Sequence, residues 1–233
     1  MTRLAAVVLL AAAIPPAVSR GAAPALTATA SGAAAVEEIL ARVQAAEDSA
    51  KDVSLAFRQT MYLKATGDAQ TTKGTLALLR SPERFRVTFT APARQEALYD
   101  GTFLWLYLPE AGQAFRQKAG PDELARVLGL NPAEPVRSFR RGYRASLAGY
   151  NASGCAIDFA RVGDPPMTWH IRVSATTWRM EEAWFENDEV KISLSCYDYR
   201  VNSKLGVRDF RMVLPRDVEV QDGLPMLFGR GGP

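Results

Sequence analysis

The chain has 233 residues, 48% of them hydrophobic and 23% charged, with a net charge of +3. That balance excludes a disordered chain and a polytopic membrane protein, and the length suffices for one sizeable core. Acidic and basic residues are interspersed without a dense basic block, so nucleic acid is not an expected partner.

Met1-Thr2-Arg3 is a short basic start, and Leu4 to Ile14 is an unbroken apolar run of eleven residues. A bilayer-spanning helix needs about 20. Pro15, Pro16 and the small residues Ala17-Val18-Ser19 come next. The segment 1–19 reads as a cleavable secretory signal. No cysteine follows the run, so the mature protein is expected to be unlipidated, soluble and extracytoplasmic. Residues 20–33, rich in Ala, Gly, Ser and Thr, read as a disordered linker.

Val36, Ile39, Leu40 and Val43 fall on one helical stripe and predict a helix over about residues 34–50. The period then changes to two. Val53, Leu55 and Phe57 alternate with Ser54, Ala56 and Arg58, and a second strand is read from Thr75 to Leu79. Phe85, Val87 and Phe89 mark a third, and Asp100-Gly101 between two apolar runs predicts a hairpin. Pro121-Asp122-Glu123 opens a second helix whose apolar face is Leu124, Val127 and Leu128. Later strands are expected at Tyr143–Leu147, Cys155–Arg161, Thr168–Ser174, Glu181–Glu186, Val190–Asp198 and Val207–Val213. The fold class is α+β: a long antiparallel meander, curled into a barrel or half-barrel, with the N-terminal and middle helices covering its concave face.

Little in the chain suggests catalysis. The single histidine, His170, alternates with apolar neighbours and so points outward. No Gly-x-Ser-x-Gly elbow and no phosphate loop occurs. The adjacent pairs Glu37-Glu38 and Glu181-Glu182 diverge on a helix and on a strand respectively. Two cysteines and one histidine make no structural zinc site. Neither an enzyme nor a metal or other cofactor is expected. Export would permit a Cys155–Cys196 disulfide, worth roughly 4 kcal/mol in the chain-entropy model; two small buried hydrophobes are the other reading. Met226-Leu227-Phe228-Gly229-Arg230 is an apolar patch that reads as a docking tail within residues 223–233.

Four short motifs carry a family resemblance. Asp100-Gly101-Thr102-Phe103-Leu104-Trp105-Leu106-Tyr107-Leu108-Pro109 resembles the Asp-Gly-x-x-Leu-Trp-x-Tyr-x-Pro hairpin of LolA-type lipoprotein carriers. Phe57-Arg58-Gln59 is similar to the family's Phe-x-Gln, and Pro82-Glu83-Arg84-Phe85 to its Pro-x-x-Phe. Phe210 to Val220 is similar to the Phe-x-x-x-x-Pro-x-x-Val-x-Val ending. Order and spacing agree over about residues 34–222, which the resemblance makes the carrier domain.

The resemblance implies an unclosed β-barrel with a helical lid over an apolar cavity. It implies a monomeric periplasmic carrier of lipid-modified proteins. Cargo would come from an inner-membrane lipoprotein-releasing ABC transporter and pass to an outer-membrane acceptor. Phe57, Leu78, Phe85, Val87 and Phe89 would line the cavity. From the hairpin, either Trp105 and Tyr107 or Leu104 and Leu106 would join them; both sets are apolar, so periodicity does not choose. Leu124, Val127 and Leu128 would form the underside of the lid. One departure stands out: the family's lid-latching Arg directly before Pro-x-x-Phe is Ser81 here, with Arg80 one residue earlier. In a regular strand that shift changes the face, so the latch falls to Arg80, to Ser81 or to neither. A second class of function on the same fold is a lipid-sensing regulator that binds a membrane signalling partner.

Overall fold

The computed structural model describes residues 32–120, 142–163 and 167–224. Helix α1 (Gly32–Asp48) forms where the 3.6-residue stripe predicts it. All four stripe residues, Val36, Ile39, Leu40 and Val43, are buried. The expected signal segment, most of the linker, the helix bearing Leu124, Val127 and Leu128, and the Met226–Arg230 patch lie outside the described residues.

Six strands follow α1 as one antiparallel meander. They are β1 (Asp52–Leu63), β2 (Asp68–Arg80), β3 (Glu83–Ala91), β4 (Gln95–Tyr99), β5 (Phe103–Leu108) and β6 (Gln113–Lys118). A second meander comprises β7 (Tyr143–Asn151), β8 (Gly154–Arg161), β9 (Thr168–Ser174), β10 (Met180–Glu186) and β11 (Val190–Val201). The two join where β1 pairs antiparallel with β11, Phe57 opposite Cys196. A last short strand, β12 (Glu219–Asp222), runs parallel to β6. The result is one twelve-stranded sheet with β12 and β7 at its edges, curled but not closed: a half-barrel.

Two details of the expected meander are corrected. The sheet is mixed, because after β11 the chain crosses the outer face of β3 and so arrives beside β6 running in the same direction. The strand expected over Val207–Val213 is instead a 3₁₀ turn over Val207–Phe210 followed by irregular chain. Asp209 Oδ2 accepts the Gly206 N–H at 2.7 Å and closes that turn locally. Phe210 becomes fully buried against the sheet instead of alternating.

The alternation of each strand builds two layers. Leu55, Phe57, Leu76, Leu78, Phe85, Val87 and Phe89 face the α1 stripe from the first meander. Ile157, Phe159, Trp169, Ile171, Val173, Phe185, Ile192 and Leu194 face it from the second. Each large side chain fully removed from water contributes about 1.5–3 kcal/mol, which is what holds α1 in the curl. On the outer face, Leu79, Leu98 and Phe210 are also buried but belong to a separate, smaller layer beneath the crossing segment.

Candidate functional site

Among the described residues the concave face is an extended apolar surface. Register shows its continuity. Val87 lies opposite Ala97, Ala97 opposite Leu106, and Leu106 opposite Phe115. In the other direction Phe57 lies opposite Cys196, and Ala183 bridges Leu194 and Ile171. Phe57 and Phe89 meet edge to face at 5.8 Å, and Trp169 and Phe185 lie 5.4 Å apart. Most of this face is dry. At the end where β1 turns into β2, Met61, Tyr143, Ala145, Met167 and Val190 are only partly buried.

The opposite end carries the polar groups. Arg80 and Glu83, cross-strand neighbours, continue the inward alternation of Leu78 and Phe85. Tyr99 stacks obliquely on Phe85 at 6.0 Å, and its hydroxyl donates to the Ala119 carbonyl at 3.4 Å. Burial pushes that hydroxyl's pKa up, and the carboxylates of Glu83 and Asp100 add to the effect. Tyr199 donates to the Met180 carbonyl at 2.6 Å, and burial raises its pKa well above the usual phenol value. Arg179 lies over the Tyr199 ring at 5.4 Å, its own pKa lowered by burial.

Hairpin β4–β5 decides an alternative that periodicity leaves open. Asp100 Oδ1 accepts the Thr102 and Phe103 N–H groups at 2.9 and 2.8 Å, and its Oδ2 accepts the Trp105 indole N–H at 2.9 Å. Gly101 sits at φ 95°, and a Cβ there would meet the Arg84 guanidinium at 3.0 Å. The carboxylate thus holds Trp105 on the convex side, where Arg116 lies 5.8 Å over its ring. Leu104 and Leu106 take the concave side and are buried. Asp100 is the residue that sequence reasoning missed as an organiser, although Asp-Gly followed by Trp was visible.

The family model described as outer membrane lipoprotein carrier protein LolA matches residues 48–134. Over those residues the chain is similar to that family. Its half-barrel resembles a solved conserved protein from Thermus thermophilus (TM-score 0.52, 15% identity, 81% of this chain and 99% of that one). Two further solved structures are similar at lower scores. The lipoprotein LppX of Mycobacterium tuberculosis gives a TM-score of 0.48 at 12% identity, covering 73% of this chain and 98% of that one. A LolA superfamily protein from Nitrosomonas europaea gives 0.41 at 13% identity, covering 78% and 99%. No curated protein matches the chain in sequence.

In this chain, Phe57, Leu78, Phe85, Val87, Phe89, Leu104 and Leu106 share the concave side, and Trp105 stands apart from them. The departure before Pro-x-x-Phe also resolves in space. The β2–β3 register is regular from Gly74 onward, so Arg80 falls on the concave side and Ser81 is exposed in the turn. Cys155 and Cys196 are free, buried thiols, the second of the two readings the sequence leaves open. They sit on β8 and β11 with two strands between them, roughly 14 Å along the sheet against the roughly 7 Å Cα limit of a disulfide. Burial raises the Cys155 pKa to about 11 and the Cys196 pKa to about 12, so both behave as small hydrophobes. His170 lies on the convex face, its Nδ1 2.7 Å from Asp158 Oδ1 and its ring stacked on Trp184 at 5.1 Å. Among the described residues no cluster of three or more acidic, His or Cys side chains could hold a metal, and no helix is long and apolar enough to cross a membrane.

Proposed function

We propose that the concave face binds the acyl chains of lipid-modified proteins and that the protein is a non-enzymatic carrier of them. One observation carries the reading: an apolar face continuous across both meanders, in a LolA-like half-barrel that stays open at its edges. The physical need is clear. Each acyl CH₂ exposed to water costs about 0.8 kcal/mol, so three long chains cannot cross an aqueous compartment unaided. The face offers only dispersion and desolvation, which are non-directional, and so can hold chains of different length and release them to a tighter acceptor.

In the fuller form of the proposal, residues 1–19 export the protein to the periplasm. Residues 34–222 then shuttle cargo, as a monomer, from an inner-membrane releasing ABC transporter to an outer-membrane acceptor. Arg80, at the polar end of the concave side, would hold the lid bearing Leu124, Val127 and Leu128.

Phe85→Glu tests the reading. Phe85 is 1% exposed, and an unpaired carboxylate there opposes an acyl chain. The expected result is loss of binding to a synthetic tripalmitoylated peptide. Met61→Asp, at the partly buried end, gives the same loss from a site where the fold tolerates a charge. If both variants bind the peptide as the wild type does, the concave face is not the acyl site.

A further inference from the structure

We infer that the outer edge of β7 binds the main chain of the peptide that follows the acylated residue of the cargo, adding it to the sheet as an extended strand; this rests on the acyl-binding reading. Among the described residues β7 ends the strand order and pairs only with β8. Amide direction alternates along a strand, and two bonds fix the alternation here. The Val162 N–H donates to the Gly142 carbonyl at 3.0 Å, across the β7–β8 pair, whereas the Arg161 N–H donates the other way, to the Met167 carbonyl at 2.7 Å. By alternation Arg144 and Ser146 direct their main-chain groups at Ala160 and Asp158, their register partners. The N–H and C=O of Ala145 and Leu147 then point away from β8, toward the open edge.

The same two residues line the concave face. Ala145 lies opposite Phe159 and Leu147 opposite Ile157, and both partners are buried in the concave cluster. Helix α1 packs against β7 without sealing it: Ala145 and Leu147 are only partly buried, and Arg144, Ser146 and Ala148 are exposed. The face is thus less covered at β7 than at β8 and β9, so an acyl chain on it lies beside the open edge. The cargo is a lipid with a peptide attached, and chains held on the concave face leave that peptide to run off the sheet. The other edge strand, β12, is only 4 residues long and carries Glu219 and Asp222. Main-chain pairing takes its affinity from backbone bonds, so it accepts peptides of differing sequence, as non-directional contacts accept chains of differing length. The register shift after Leu147 bends the edge away from a long flat pairing, which disfavours a second copy of this chain as the occupant.

The test uses the full chain and two probes: a synthetic tripalmitoylated peptide with about eight residues after its acylated cysteine, and palmitate as the peptide-free control. Amide exchange followed by NMR should slow about tenfold or more at Ala145 and Leu147 with the lipopeptide and stay unchanged there with palmitate. Ala145→Pro removes an edge N–H that β8 does not use, a change that an edge strand tolerates. It should weaken lipopeptide binding about tenfold and leave palmitate binding as in the wild type. A lipopeptide N-methylated at alternate residues should show the same loss on the wild-type protein, so the result does not depend on how the variant folds. Exchange at Ala145 and Leu147 that ignores the lipopeptide, or an N-methylated peptide that binds as tightly as its parent, overturns the inference while acyl binding stands. A dimer that Ala145→Pro dissociates with no change in lipopeptide affinity assigns the edge to a second copy and overturns it as well. If the wild type binds neither palmitate nor lipopeptide, the acyl reading fails and this inference with it.

Discussion

The two meanders share one concave surface but differ on their backs. Behind β2–β4 the crossing segment after β11 buries Leu79, Leu98 and its own Phe210 beside the half-buried Arg86–Glu96 pair, so that part of the sheet is packed on both faces. Behind β8–β11 the outer face is polar and wet. Asp158 meets His170, Arg172 meets Glu181 and Glu182, and Lys191 meets Glu186, all with substantial exposure. A strand packed on both faces resists displacement, whereas one packed on a single face can shift as the content of the concave side changes. The first meander is thus the frame and the second the more adaptable wall. Their linings differ accordingly: the second contributes Cys155, Met180 and Cys196, soft sulfur-bearing groups, where the first contributes leucines, Val87 and phenylalanines.

The largest expected effect probes the frame. Phe210→Ala empties a fully buried site under the crossing segment and should cost about 3–5 kcal/mol in urea unfolding. Val213→Ser, three residues on and 82% exposed, should stay within about 0.5 kcal/mol. Equal effects would mean that the outer layer is not a core of its own.

Next come two glycines, one per meander. A Cβ at Gly74 would lie 2.3 Å from the Thr88 carbonyl oxygen, and one at Gly154 2.2 Å from that of Val173. Both alanine variants meet backbone, so each should lose roughly 1–3 kcal/mol. The comparison sharpens if Gly154→Ala is the milder, because a wall packed on one face can move aside.

The thiols give an effect confined to the second meander. Their pKa values rise from 9.0 to about 11 and about 12 on folding, so above pH 9 the unfolded chain releases protons that the folded chain keeps. Stability is therefore full below pH 9 and falls as the pH climbs toward 11–12, on the order of 1 kcal/mol per thiol by pH 10. Urea midpoints measured from pH 7 to 10.5 should show that slope, and C155A/C196A should flatten it. An unchanged slope would assign the alkaline loss to the buried tyrosines instead. Smallest is His170→Gln. Its partner contact is about one-third exposed on both sides, so the loss should be about 0.5 kcal/mol or less by the same measurement.

Much of the frame was legible in the sequence because each strand keeps one face dry and one wet. Phe85, Val87 and Phe89 alternate with Arg84, Arg86 and Thr88, and all three apolar residues are buried on the concave side. The reading failed where alternation is absent or misleading. Residues 103–108 are apolar on both faces, because one faces the α1 side and the other packs around Arg116 and the indole held by Asp100. Residues 207–213 are half apolar without true alternation, and a local Asp209 bond closes a turn there.

By itself, then, the sequence determined the helix, the strand-rich class and the apolar character of the concave lining, since these follow from local periodicity and burial. Only the tertiary structure decided that β1 joins β11, that β12 returns parallel to β6, and that Arg80 rather than Ser81 takes the concave side. It also decided that two cysteines both read as strand residues stay apart as thiols. Each of these depends on which distant strand supplies the neighbour, and period-two patterning is the same whichever neighbour that is.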